Sequence, residues 1–466
     1  MKFLKSVFCF LILHCASCTN SEPSPSELKE LSEQRYKIGA HYYVWYPDNF
    51  EEGTLRSKLV PPQEPVLGHY ESADPKVAEQ HIAWASEYGI DFFTLDYWPN
   101  VDHRNKRIDE GFLKARNIGD IKFCIFYESW NLRWLAHYGA TVFTTKASRQ
   151  FRREMKMFAE KYFSHPSYLK IDGKPVVVLY LTRTFAKHYE IAITKAREEV
   201  RKLGYEIYFI ADEIFWDVTE QRNDKNSFRN KVTAPQIKRI ELFDAITSYN
   251  LYTRRYRNKQ KGYGEENTFF KDAGWLFDRY LNYEGMNKPL APVLIPGYND
   301  RGVRRGNYIF PRQWEEGGPE GGFLDHGFKE MGFPYMDPEL EMIFITSWNE
   351  WNEDTAIEPL KPSPPTNKDI SEDSYHTGGF SYSGHGTAYL EVVQKNVVAV
   401  AGSAPKDTWV IAWKDGKAVT ADKADFNGKY TLSRKPMPPG KYMVGSSLET
   451  AKEVEVGLDK TEIVDF

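Results

Sequence analysis

Short, nearly continuous apolar runs recur along most of this chain, and between them the apolar positions fall at helical spacing. The runs cover 38–45, 91–97, 121–127, 175–181, 205–211, 245–249, 292–296 and 342–346, eight in all. Runs of this length, rich in Val, Ile, Phe and Tyr, predict strands buried on both faces, as parallel sheets require. The intervening segments predict helices. One covers 74–88, with Pro75 in a first-turn position and Gly89 as its stop; others cover 147–163 and 189–203, the latter ended by Gly204. Strands alternating with helices over 36–398 predict an α/β fold, a (β/α)8 TIM barrel with enlarged loops. A doubly wound open sheet shares the alternation. No glycine-rich phosphate loop follows any run, however, which disfavours that fold and nucleotide binding with it.

The texture changes at both ends. Residues 361–386 are rich in Pro, Ser and Gly and read as a long loop, and 389–395 as the closing helix. Beyond residue 404 come short alternating runs at 409–413, 429–432, 441–444, 453–456 and 462–464. Asp415-Gly416, Asn427-Gly428 and Pro439-Gly440 separate them as turns, so 404–466 is expected to be a small all-β sandwich. At the start, Lys2 and Lys5 precede an apolar stretch at 7–13 that is too short to cross a bilayer, so 1–18 reads as an export signal. Cys15-Ala16-Ser17-Cys18 resembles a bacterial lipoprotein signal, with Cys15 where leucine is usual, and Cys18 is the expected lipidation site. Residues 19–35, rich in Ser, Pro and Glu, read as a flexible tether. The expectation is an exported protein, lipid-anchored to a bacterial membrane at the cell surface or in the periplasm. Simple secretion is the alternative.

The 466 residues offer ample interior for one large domain and a small one. Net charge is -4 with the signs interspersed. Nucleic acid is therefore not an expected partner, and the membrane is met only through the lipid. Of four cysteines, Cys9 and Cys15 leave with the signal and Cys18 carries lipid. Cys124 remains as a buried bystander, so neither a disulfide framework nor a thiol nucleophile is implied. A monomer is expected.

The chemistry concentrates in Ser347-Trp348-Asn349-Glu350-Trp351-Asn352-Glu353, directly after the last barrel run. Acetal cleavage wants one carboxylic acid to protonate the leaving oxygen and a second carboxylate to take a proton or stabilise positive charge. Indole rings beside them offer flat apolar faces for sugars. A lone Glu-x-x-Glu is more often a pair of surface acids in a capped loop; the strand, the indoles and the upstream residues reverse that reading. Chemistry in a barrel sits at the C-terminal strand ends. Those ends read His41-Tyr42-Tyr43-Val44-Trp45-Tyr46, Asp96-Tyr97-Trp98, Glu128-Ser129-Trp130, Asp212-Glu213, Tyr249-Asn250, Tyr298-Asn299-Asp300, and Glu350 with Glu353. Any one of these reads as packing, and Asp300 as a loop cap or a partner of Arg301 or Arg304. Acids at five strand ends are costly to cluster without purpose. No metal or other cofactor is expected: His41, His69 and His103 do not fall at ligand spacing, and there is no Gly-x-Ser-x-Gly elbow.

Several motifs then line up in order. Tyr42-Tyr43-Val44-Trp45-Tyr46 matches a Tyr-Tyr-x-Trp-Tyr opening, and Leu67-Gly68-His69-Tyr70 with Asp74-Pro75 matches Leu-Gly-x-Tyr…Asp-Pro. Glu128 falls at a third-strand glutamate, and Pro296-Gly297-Tyr298-Asn299-Asp300 with Arg304 at Pro-Gly-Tyr-x-Asp…Arg. Trp348 to Glu353 with Ile357-Glu358 follows Asn-Glu-Trp-His-Glu-Gly-Thr-Gln-Ile-Glu. Through nearly the whole barrel the chain resembles glycoside hydrolase family 99, the endo-α-mannosidase and endo-α-mannanase family. The resemblance implies that Glu350 removes the proton of the substrate 2-OH, whose oxygen attacks C1. Glu353 would protonate the leaving oxygen and later activate water. Configuration would be retained through a 1,2-anhydro sugar, with split pKa values for the two acids. Strand-end reading and resemblance together assign Tyr43, Tyr46, Tyr70, Asp96, Trp98, Glu128, Tyr249, Tyr298, Asp300, Arg304, Trp348 and Trp351 to the substrate cleft.

The chain also departs from the family pattern. Asn352, Asp354 and Ala356 replace its His, Gly and Gln, Phe126 stands where a His precedes the third-strand Glu, and Asp96 replaces a small residue. These positions are expected to line the cleft and shift its sugar specificity. Near the C-terminus, Asn427-Gly428-Lys429-Tyr430 and Pro438-Pro439-Gly440-Lys441-Tyr442 resemble prealbumin-like accessory modules. The expected function is a retaining, metal-independent, endo-acting glycoside hydrolase on α-linked oligo- or polysaccharides, the α-mannosidic linkage being only what the family resemblance implies. A non-catalytic glycan-binding lipoprotein is one alternative, but it has no need for two crowded acids. A polysaccharide-assembly glycosyltransferase is another, which an export signal disfavours because nucleotide sugars are cytoplasmic.

Overall fold

The computed structural model describes every residue except 1–21, 136–139, 217, 219–233, 254–261, 267 and 305–307. The export signal and Cys18 lie outside the described residues.

All eight predicted barrel strands are present. Seven are Lys37–Tyr42, Phe92–Tyr97, Lys122–Tyr127, Lys174–Leu179, Tyr208–Asp212, Ala245–Thr247 and Met342–Ile345, the last being the eighth in order. Neighbours in sequence pair in parallel, and the first strand pairs with the eighth, Ala40 opposite Ile345. The seventh strand is split: Leu290–Ala291 pairs with the sixth and Val293–Leu294 with the eighth. Pro292, between the halves, has no amide hydrogen to give a ladder. Its carbonyl still accepts the Phe344 amide at 2.9 Å, so the ring is completed across the break. The helix Thr145–Lys161 shows how the outer layer forms. The Thr144 hydroxyl caps it by accepting the Ala147 amide at 3.2 Å. Phe151, Met155 and Phe158 then recur at helical spacing on the buried face.

Residues 361–386, expected as loop, contain an antiparallel pair, Leu360–Thr366 with Tyr382–Gly386. Its prolines fall between the paired positions Leu360, Ser363 and Thr366, where no ladder donor is required. The pair is tied to the barrel mouth. Asn299 Nδ2 donates to the Tyr382 hydroxyl at 2.7 Å, and Arg56 to the Ser383 carbonyl at 3.0 Å.

Beyond the closing helix Ala388–Val397 the chain enters two small sheets without a linker. One orders Lys429–Ser433, Val398–Ser403 and Glu462–Ile463; the other orders Lys417–Lys423, Trp409–Lys414, Gly440–Gly445 and Lys452–Val456. Val400, Val410, Leu432, Val444 and Val456 share a core. The expected tether also departs from prediction, because Pro25–Glu33 is a helix. Ser24 and Glu27 form a reciprocal capping box with Pro25 in the first turn. Leu28 and Leu31 pack on Ile411, Trp413 and Ala421 of the small sheets, and that apolar contact is what orders the segment.

Arg35 then bridges Asp91 at 2.7 Å and Asp422 at 3.8 Å. Lys435 pairs with Glu341 at 2.5 Å, and the Phe426 amide donates to Asp120 at 3.0 Å. Asp91, Asp120 and Glu341 all lie just before barrel strands. The C-terminal module therefore covers the base of the barrel, at the opposite end from Glu350 and Glu353.

Candidate active site

After the eighth strand the chain turns back on itself over 347–358. Ser347 Oγ accepts the Glu350 amide at 2.7 Å, and the Ile357 amide returns to the Ser347 carbonyl at 3.0 Å. Asn349 fastens this turn to the first strand. Its Oδ1 accepts the Tyr43 amide at 2.8 Å, and its Nδ2 donates to the Tyr43 carbonyl at 3.0 Å. A side-chain amide thus continues the barrel ladder where the backbone pairing ends.

The turn presents the two acids differently. Glu350 is 4% exposed, and its Oε1 accepts the Asn352 amide at 2.9 Å. Burial first, then the neighbouring charge of Glu353, pushes its carboxyl well above the usual range, against the opposing pull of Arg304 and the Asn352 amide. Glu353 accepts Arg304 at 2.7 Å on one oxygen and the Tyr252 hydroxyl at 2.7 Å on the other. Across from them, Asp96 accepts the Trp98 indole N–H at 2.5 Å, and burial raises it to about 8. Glu128 is raised as well, by burial and then by the charges of Asp96, Asp212, Glu353 and Glu350. The Tyr43 and Tyr249 hydroxyls hydrogen-bond to each other within this group. Among the described residues, no set of three or more His, Cys, Asp or Glu side chains is arranged to hold a metal ion.

Other expected cleft residues stand elsewhere. Trp348 and Trp351 are 0% and 1% exposed, so neither offers a ring face to sugar. The turn folds inward against the helix Pro75–Glu87, where Trp351, the Tyr70 hydroxyl and His81 converge on Glu358 at 3.0, 2.8 and 3.0 Å. Tyr46 donates to the Asn349 carbonyl at 2.5 Å and holds the turn from behind. Tyr298 packs under Tyr252, ring centroids 4.5 Å apart, and Asp300 accepts Arg304 at 3.3 Å. The strand-end acids Asp212 and Glu213 are paired with Arg183 at 2.6 Å and Arg239 at 2.7 Å. The indoles nearer solvent come from the first three strands. Trp45 lies 6.0 Å from Trp98, and Trp130 is 38% exposed.

The departures from the family pattern sort the same way. Phe126 is buried against His41 and Tyr249, at 4.7 and 5.3 Å, below the mouth rather than in it. Ala356 gives only its carbonyl, to Arg312 at 2.6 Å. Asp354 is wholly buried between Arg56 at 2.6 Å and Arg312 at 3.4 Å. Asn352 and Asp96 alone among the five adjoin the acids. Asp354→Ala should cost about 3–5 kcal/mol in urea unfolding, because it leaves two guanidinium groups buried without their shared carboxylate. An unchanged midpoint would show that the pair contributes nothing to stability.

Tyr252 is the residue that strand-end reading misses. It lies in a one-turn 3-10 helix, Leu251–Thr253, past the sixth strand, and meets Glu353 across 101 positions of sequence. No spacing along the chain signals that contact.

A parallel barrel with four crowded carboxyls at its C-terminal mouth defines the class: a TIM-like barrel with an acidic mouth. The model of a family described as glycosyltransferase WbsX matches residues 58–363, and the chain belongs to that family. Among curated proteins the chain is similar to the glycoprotein endo-alpha-1,2-mannosidase of Rattus norvegicus, 22% identical over 427 residues that cover 82% of this chain and 79% of that one. The Mus musculus protein of the same name is 21% identical over 386 residues, 74% of this chain and 73% of that one. Among solved structures, a glycoside hydrolase-like protein superposes with TM-score 0.53 at 19% identity, over 77% of this chain and 93% of that one. The GH99 endo-alpha-mannosidase from Bacteroides thetaiotaomicron, in complex with bis-tris-propane, gives 0.50 at 18%, over 78% and 96%. At these identities the structural likeness speaks for the fold.

Proposed function

We propose that the chain is an endo-acting glycoside hydrolase that cleaves α-linked, mannose-type glycans with retention, using the substrate's own 2-OH as nucleophile. The observation that carries this reading is the pair of acids on one turn, Glu350 buried with a raised pKa and Glu353 held by Arg304 and Tyr252. The endo-mannosidase names of the curated relatives support the substrate class. In the first step Glu350 takes the proton of the 2-OH, O2 bonds to C1, and the glycosidic C1–O bond breaks. The leaving oxygen receives a proton from Glu353. In the second, water gives a proton to Glu353 as its oxygen bonds to C1, the C1–O2 bond breaks, and O2 recovers its proton from Glu350. A carboxylate with a raised pKa is the stronger base for the first transfer. No metal takes part in this scheme.

Digestion of a glycan panel by the purified protein, read by mass spectrometry, tests the proposal. Mannose-type α-linked glycans should yield internal fragments. Binding without fragments would leave a glycan-binding protein instead. The family description favours a second reading, glycosyl transfer. Transfer here would take a glycan donor and a sugar hydroxyl in place of water.

The pH profile of kcat/KM carries a signed expectation. Glu350 must be ionised to act as base, and its pKa is raised, so activity should fall on acidification from above the ordinary glutamate value of about 4.3. Arg304→Gln removes a cation that pulls Glu350 down, so the acidic limb should move further up. A limb at or below the ordinary value would remove Glu350 from the role.

We also propose export and anchoring through Cys18. The docked helix Pro25–Glu33 would then hold the base of the barrel toward the membrane and the mouth away from it. Cys18→Ala should release the protein from the membrane fraction.

A further inference from the structure

Asp96 stands where the family pattern has a small residue, and one of its oxygens is left over. The residue is 1% exposed. Its Oδ2 accepts the Trp98 indole N–H at 2.5 Å, while Oδ1 is buried and meets no hydrogen-bond donor among the described residues. A buried carboxylate oxygen without a donor is costly, and a proton on it removes most of that cost. The resulting acid O–H needs an acceptor in turn.

The strand register supplies one. Asp96 lies opposite Phe126 in the parallel pairing of the second and third strands, and Phe126 faces the barrel interior against His41 and Tyr249. Side chains alternate along a strand, so Glu128, two positions on, points the same way as Phe126 and Asp96. The Glu128 amide donates to the Tyr97 carbonyl at 2.9 Å, which carries the alignment past the strand end. Glu128 is 6% exposed, and among the described residues no hydrogen bond holds its carboxyl.

The other groups facing the pair bring it little positive charge. They are Tyr43 from the first strand, Tyr180 after the fourth, Asp212 of the fifth, and Glu350 and Glu353 from the turn after the eighth. Asp212 and Glu353 have guanidinium partners of their own, Arg183 and Arg304. The cation that acts on Asp96 is Arg104, in the helix Asp102–Glu110. It is shared with Asp48 at 3.8 Å and with the Trp45 and Trp98 rings at 5.8 and 5.7 Å. Two buried carboxyls so placed do not both ionise at neutral pH.

We propose that Asp96 and Glu128 share one proton, Asp96 Oδ1 donating to Glu128, and that this fixes the free oxygen of Glu128 to accept a hydroxyl of the bound sugar. Asp96 is then a positioning residue, and Glu128 is the group that meets the glycan. The sugar contact rests on the glycosidase reading; the shared proton does not. Asparagine is the neutral mimic of this arrangement, because its carbonyl can accept the Trp98 indole while its amide donates to Glu128.

Infrared difference spectra of the full chain test the proton without any glycan. As pH rises through about 8 the wild type should lose a protonated-carboxyl band. That band should be missing from Asp96→Asn, and in Glu128→Gln it should vanish at lower pH, since no second charge then opposes ionisation. A band unchanged in either variant overturns the shared proton. Kinetics on a cleaved glycan test the positioning. Wild-type KM should rise as pH passes about 8, because the pair then ionises and Glu128 loses its donor. Asp96→Ala should raise KM about tenfold at neutral pH, the scale of one charged hydrogen bond, with a much smaller change in kcat. Asp96→Asn should recover most of that loss and keep KM level through the alkaline range. Wild-type KM in Asp96→Ala, or an alkaline rise that persists in Asp96→Asn, overturns the positioning role. If no glycan is cut, the glycosidase reading fails and the infrared series alone decides the shared proton.

Discussion

Glu353→Gln is expected to stop turnover of natural glycans, with kcat/KM down roughly 10²–10⁴-fold, while fold and binding survive. The amide keeps the shape of the side chain and still offers an oxygen to the Tyr252 hydroxyl or to Arg304, which meet the carboxylate at 2.7 Å each. The Glu353 carbonyl, which accepts the Asn299 amide at 2.9 Å, is untouched, so the turn stays closed. What disappears is the proton for the leaving oxygen. A substrate whose leaving group needs no proton, such as a glycosyl fluoride, should therefore recover much of the loss. Single-turnover rates on both substrates, with affinity measured by calorimetry, separate this from a binding defect. Near wild-type hydrolysis of a natural glycan by the variant would take Glu353 out of the reaction. An equal loss on the fluoride would make it a positioning residue instead.

The barrel was legible because parallel strands buried on both faces leave unbroken apolar runs. Pro292 was visible in the sequence, but whether a proline ends a strand or only splits it depends on the neighbour, here Phe344, whose amide donates to the Pro292 carbonyl. The helix Pro25–Glu33 carried its own signal in Ser24, Pro25 and Glu27. Composition outweighed it, since a Ser- and Pro-rich stretch looks like a tether until Leu28 finds the C-terminal sheet.

The acids of the site were readable from their place after the eighth strand. Their surroundings were not. Whether Trp348 and Trp351 face sugar or core depends on which way the turn folds, and the turn folds toward His81, a residue of the helix Pro75–Glu87. Asp354 likewise reads as a cleft residue only until Arg56 and Arg312 are seen to enclose it. Contacts across hundreds of positions decide these cases, and no local pattern records them.

The substrate's own 2-OH decides the mechanism. If Glu350 works as a base, the nucleophile is a sugar oxygen and Glu350 never bonds to carbon. A 2-deoxy or 2-O-methyl form of the sugar at the cleavage point should then bind and resist cleavage completely, while 2-fluoro mechanism-based reagents leave no mass label on Glu350. In a double displacement the nucleophile is an enzyme carboxylate, and the same reagents trap a glycosyl adduct. The local geometry favours the base. Glu350 is nearly closed off at 4% exposure, with one oxygen already taken by the Asn352 amide at 2.9 Å. Double displacement also tends to draw its two carboxylates from different strands. Here that would pair Glu128, at the end of the third strand, with Glu350 or Glu353. Peptide mass spectrometry after incubation with a 2-fluoro reagent distinguishes the cases. A sugar found on Glu350 or Glu128 would replace substrate participation with an enzyme nucleophile, and hydrolysis of a substrate whose 2-OH is blocked would do so without any adduct being seen.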